Sequence, residues 1–179
     1  KEYIKWMKLS AENGNTRAQS SLGDEYLNGG YVEQDHTEAV KWLKLAANKG
    51  DEDAQRNLGD CYMYGYGVPQ SHVEAFKLYA PLAEKGNHTL ALNMGNAYEF
   101  GDGVKQDYEQ AYKWYLLAAN NSQDDYMAYN YNITLVQKMK AKLSASQKAK
   151  IDAEVARLQE SIDLLNKEDS NDLLYEDDY

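Results

Sequence analysis

Ala39, Trp42, Leu43, Ala46 and Ala47 stand at i, i+3, i+4, i+7 and i+8, a single apolar stripe that predicts an α-helix over residues 38–49. Ala54, Leu58 and Tyr62 repeat the spacing of four in a second helix over 52–64. The couplet then returns every thirty-six residues. Trp6, Trp42, Leu78 and Trp114 form one column, Gly23, Gly59 and Gly95 a second, and Tyr26, Tyr62 and Tyr98 a third. A period of this length is the signature of an α/α solenoid, in which each unit buries its apolar face against its neighbours.

Punctuation residues keep the same period. Asp35-x-x-Glu38, Ser71-x-x-Glu74 and Asp107-x-x-Gln110 read as capping boxes that start the first helix of a unit. Gly14, Gly50 and Gly86 end those helices. Asn15, Asp51 and Asn87 cap the second helices, expected over 16–28, 52–64 and 88–100. A glycine inside a helix costs up to about 1 kcal/mol relative to alanine, so Gly23, Gly59 and Gly95 imply close packing, expected against the tryptophan column. Pro81 should kink the helix it interrupts.

The fourth unit departs. In register, Ser122 replaces the terminating glycine, Asn130 the leucine and Tyr131 the internal glycine, and the following helix is expected over about 125–143. Ile151, Val155, Leu158, Ile162 and Leu165 give one face of a closing helix over 146–166. The expected layout is a solenoid over 1–145 (units 1–37, 38–73, 74–109 and 110–145), a capping helix over 146–166 and an acidic, frayed tail over 167–179.

Composition sharpens this. Sixteen tyrosines against two phenylalanines mean that most aromatic packing carries a hydroxyl. The net charge is −10, of which −6 falls between Asp163 and Tyr179, a balance that argues against nucleic acid and suits a basic protein partner. Cys61 is the single cysteine, without disulfide or metal-cluster partners. No apolar run reaches the ~20 residues of a membrane helix. The chain begins at Lys1 inside a repeat and reads as a processed or trimmed piece, with its first helix left incompletely covered and any targeting segment out of view.

Ala54-x3-Leu58-Gly59-x2-Tyr62-x2-Gly65-x-Gly67-Val68, then Glu74-Ala75, with Trp42-x3-Ala46-Ala47-x2-Gly50 before them, resemble the Sel-one-like repeat family, relatives of tetratricopeptide repeats. The likeness covers about residues 1–120. Leu78 for tryptophan, Leu90 for alanine and Gly30-Tyr31 for the second loop glycine depart from it, and the cysteines of the disulfide-bearing bacterial branch are missing. The resemblance implies an all-α, right-handed superhelix of antiparallel helix pairs, acting as a protein–protein interaction scaffold, monomeric by itself. It also implies an alternative, an immunity or inhibitor protein held against a secreted bacterial toxin or effector, and more remotely a cell-wall or β-lactam hydrolase. The secreted and periplasmic members of the family favour a bacterial periplasm over the cytoplasm.

Candidate contact residues follow from the columns. Lys5, Lys41, Lys77 and Lys113 would form a basic ridge beside the tryptophans. Val40, Phe76 and Tyr112, with Leu45 and Leu117, lie off the main stripe and either pack between repeats or line a groove. Tyr64, Tyr66 and Phe100 sit at the loop edge, where aromatics make good anchors. His36 and His72 share a column, too few for a metal site. No catalytic constellation, cofactor loop or metal motif is present, which predicts a non-enzyme with no cofactor.

Overall fold

A computed structural model describes residues 2–172. Among them the chain is all-α: α1 (Glu2–Glu12), α2 (Thr16–Asn28), α3 (His36–Ala47), α4 (Glu52–Tyr64), α5 (His72–Glu84), α6 (His88–Phe100), α7 (Tyr108–Asn120), α8 (Tyr126–Lys140) and α9 (Ala145–Asp172). Two compact units result, 1–79 and 80–179, with the division falling inside α5.

The second helices start and stop as the punctuation dictates. Asn15, Asp51 and Asn87 each accept the amide three residues on, at 2.9, 2.8 and 3.1 Å. Gly29, Gly65 and Gly101 end them in the left-handed region. The first helices are capped differently from the expectation. Asp35 and Asp107 accept two amides each, but their own N–H groups go to the carbonyls of Tyr26 and Tyr98 rather than to the third-position side chain, and Ser71 N–H likewise goes to Tyr62. Beside these bonds, Gln34, Gln70 and Gln106 each donate a side-chain amide to the next carbonyl along, of Leu27, Met63 and Glu99, at 2.7–2.8 Å. Every returning loop is thus fastened to the last turn of the helix it leaves. The reciprocal capping box does occur once, at Ser144 and Gln147, where each side chain accepts the other's backbone N–H.

In unit 1 the core is Met7, Ala11 and Leu22, continuing into Ala39, Leu43, Ala46, Ala54, Leu58 and Cys61. Polar ties join its repeats: Ser20 donates to Asp51 at 2.7 Å, Asn57 to Asp24 at 3.2 Å, and the Lys49 ammonium to Gly14 O at 2.6 Å. The internal glycines pack one column away from the expected tryptophans. A Cβ at Gly23 would stand 2.7 Å from Cγ of Leu43, and one at Gly59 2.8 Å from Cδ1 of Tyr79. The Tyr79 ring lies across the glycine, and its hydroxyl reaches Asp60 on the same helix at 2.5 Å. The tryptophans themselves have no common environment: Trp6 is 67% exposed, Trp42 half-buried and Trp114 4% exposed.

Unit 2 repeats the device with Tyr115 over Gly95, its hydroxyl bonded to Asn96 and Glu99, both at 2.8 Å. The fourth repeat is out of step. Asp125, the N-cap of α8, comes thirty-eight residues after Asn87 rather than thirty-six. Asn130 and Tyr131 therefore point to solvent, and Asn132, Val136 and Met139 face the core. Helix α9 closes α7: Tyr112 donates to Asp152 at 2.6 Å, Gln147 to Glu109 at 2.6 Å, and Lys113 pairs with Glu154 at 2.7 Å. The helix continues past Asn166, where the apolar pattern ends, and takes in the start of the expected tail. The rest of that acidic tail, 173–179, lies outside the described residues.

Candidate interaction surface

The lysine column is not a uniform basic ridge. Lys41 and Lys77 are exposed, but each is held by the glutamate one turn before it, Glu38 at 2.5 Å and Glu74 at 2.6 Å. The Glu38 contact raises the Lys41 pKa. Lys113 is 13% exposed, clamped between Glu84 and Glu154 and lying over the Trp114 ring. It holds the closing helix and is not available to a partner. Lys5 is exposed on α1. The physical reason for the difference is the element on top: α9 covers the face of α7 that α3 leaves to solvent.

Phe76 and Tyr112 are likewise withdrawn as contact residues, being 6% and 0% exposed. Val40 and Leu117 are buried with them, and Leu45 is exposed. Burial and the Asp152 hydrogen bond push the Tyr112 phenol well above its ordinary range.

The loop-edge aromatics remain at the surface. Tyr64 is 63% exposed and Phe100 69%. Tyr66 lies between Tyr64 and His36, with ring centroids 5.7 and 4.9 Å away. Gly67 lets this loop press on the start of α3. It has φ +69°, and a Cβ there would come within 2.5 Å of the His36 carbonyl carbon. Tyr64 at the end of α4, Tyr66 in the loop that follows and His36 at the start of α3 thus bring three rings together as a platform.

Among the described residues one charged side chain is buried. Glu99, 3% exposed, accepts from Tyr115 and pairs with Lys138 of α8, whose ammonium also lies over the Phe100 ring at 5.5 Å. Burial pushes its carboxyl up, but the hydrogen bonds from Lys138 and Tyr115 outweigh this and hold it below the usual glutamate value. Cys61 is buried and free, its thiol pushed up to about 11 by desolvation and Asp60. Among the described residues no three His, Cys, Asp or Glu side chains come together as a metal set, and no helix is long and apolar enough to cross a membrane.

The sequence model of the Sel1 repeat matches residues 4–15, 16–51, 52–87 and 90–122. The chain belongs to the Sel1 repeat family.

Sel1 repeats are generally protein-interaction scaffolds, typically non-catalytic. Among solved structures, this Sel1 chain is similar to a protective antigen present in uropathogenic Escherichia coli strains displaying an SLR fold, at 30% identity and TM-score 0.65 over 92% of the chain. It spans only 35% of that protein. It is also similar to a Sel1 repeat protein from Oxalobacter formigenes, at 36% identity and TM-score 0.57, covering 64% of this chain and 88% of the other. No curated protein sequence matches it. The Sel1 columns that sequence reasoning passed over are Gln34/Gln70/Gln106 and Met7/Leu43/Tyr79/Tyr115. Both recur at the repeat spacing, the second directly beside the tryptophans.

Proposed function

We propose that this Sel1 protein is a non-catalytic scaffold that grips a partner protein through the Tyr64–Tyr66–His36 platform. The supporting observation is the exposure of two tyrosines, Tyr64 at the end of α4 and Tyr66 in the loop that follows, a loop fastened at Gly65, Gln70 and Ser71. Rigid aromatics bind with little loss of conformational entropy, and such residues dominate interface energetics. Lys41 and Lys77 are each paired with a glutamate of their own helix, which leaves the aromatic rings as the feature a partner would grip.

A photo-crosslinking amino acid at position 64, in the native host, captures the partner. The purified pair is then measured by calorimetry. Replacing both Tyr64 and Tyr66 with alanine should weaken binding by about 2 kcal/mol or more, whereas Lys41→Glu with Lys77→Glu should change it by less than about 1 kcal/mol. Equal affinity in the double alanine variant overturns the reading. Capture of a secreted toxin would make the scaffold an inhibitor.

A further inference from the structure

From Tyr126 to Ile151 the chain holds five lysines and no aspartate or glutamate, within a protein of net charge −10. The fold gathers this block at one end of unit 2. Lys142 stands 3.8 Å from the Tyr108 ring centroid, Lys138 reaches Glu99, and Gln147 reaches Glu109. These contacts set the α8–α9 turn against the start of α7 and the end of α6, whose connecting loop adds Lys105.

The nearby carboxylates are already committed inside the unit. Glu99 serves Lys138 and Tyr115, Asp107 caps α7, and Glu109 accepts from Gln147. Asp152 and Glu154 hold Tyr112 and Lys113, and Asp102 has contacts of its own. Among the described residues no carboxylate lies within ion-pair distance of Lys105, Lys140, Lys142, Lys148 or Lys150. Ion pairs engage Glu99 and Glu154, and hydrogen bonds from uncharged groups engage Asp107, Glu109 and Asp152, so these five lysines stand without a carboxylate in direct contact.

We propose that this lysine-rich end of unit 2 docks a short acidic segment of a partner protein. Nucleic acid fits less well, because phosphate-backbone binding needs basic surface over many successive phosphates, and here a compact patch is set in an otherwise acidic chain. An anionic bilayer would be repelled by the chain's net charge of −10. A short run of carboxylates can occupy the patch alone, steered to it by the field of the five ammonium groups. This site is distinct from the Tyr64–Tyr66 platform of unit 1, and each can fail without the other.

The test is fluorescence anisotropy of the full chain with a fluorescein-labelled peptide of alternating glutamate and glycine. A single-stranded RNA oligonucleotide and phosphatidylserine vesicles are run in parallel. The peptide should bind at low salt, with affinity that falls as salt rises. A variant with Lys105→Glu, Lys140→Glu and Lys150→Glu should lose about tenfold or more in affinity with unchanged circular dichroism, while Tyr64→Ala should bind the peptide as the parent does. Absence of peptide binding, equal binding by the charge-reversed variant, or tighter binding to RNA or vesicles overturns the proposal. If the charge-reversed variant misfolds, neutral Lys105→Gln with Lys150→Gln serves in its place, with a smaller loss expected and no loss refuting.

Discussion

Gly95→Ala sets two opposing effects against each other, and the structure decides which prevails. Alanine is favoured over glycine in a helix interior by up to about 1 kcal/mol. The added methyl, however, would stand 2.5 Å from Cε1 of Tyr115 and 3.1 Å from its Cγ. That ring is fully buried, and its hydroxyl is fixed by Asn96 and Glu99. It cannot slide away without giving up both bonds. Overpacking of this kind costs about 1–3 kcal/mol, and more where neighbours cannot yield. The expected outcome is therefore a net loss of about 1–2 kcal/mol, read as a lower urea midpoint at unchanged slope. Adding Tyr115→Ala removes the clash, so in that background Gly95→Ala should become neutral or stabilising, a coupling that a double-mutant cycle measures directly. A Gly95→Ala protein at least as stable as the parent would refute the idea that the glycine column exists to admit the tyrosine ring.

Trp114→Ala should cost about 3–5 kcal/mol, as for other emptied core aromatic sites, whereas Trp6→Ala should cost less than about 1 kcal/mol. Thermal melts of the two variants check this, and similar losses would contradict the burial pattern. Glu99 makes the acid limb of stability steeper. Its folded-state pKa is depressed, so its contribution is complete above the ordinary glutamate value of 4.5 and is lost as pH falls through the depressed one. Glu99→Gln should be less stable than the parent at neutral pH and should flatten that limb, and parallel pH–stability curves for the two proteins would exclude the effect.

The second helices were legible to the residue because their limits are written in side chains that do one thing: an Asn or Asp that caps, and a glycine that takes a positive φ. Leu43 and Trp42 show where this stops. Adjacent residues on a helix differ by only about 100° in direction, and both are apolar, so the pattern cannot say which one meets the glycine. Lys113 shows a second limit. Its column predicts exposure, and only the docking of α9 buries it. The slip before α8 shows a third. A fixed offset assigns Tyr131 to the glycine column, although Asp125 has already moved the register by two. The lysine block was in plain view as residues but was hidden in the net charge, because the acids elsewhere outnumber it.

The anchoring of α9 bears on how such an array can lengthen. Among the described residues Tyr112, Lys113 and Glu109 are partnered by Asp152, Glu154 and Gln147 of the closing helix, with Glu84 as a second, more distant partner for Lys113. A gene duplication that copied this repeat into the middle of the chain would carry a buried tyrosine hydroxyl and a half-buried ammonium away from the groups that satisfy them. The repeat containing Trp42, whose lysine is paired within its own helix, carries no such debt. Growth by duplication is therefore open to the early repeats and closed to the last, so the array's terminus is written into the repeat beneath α9 as well as into α9 itself.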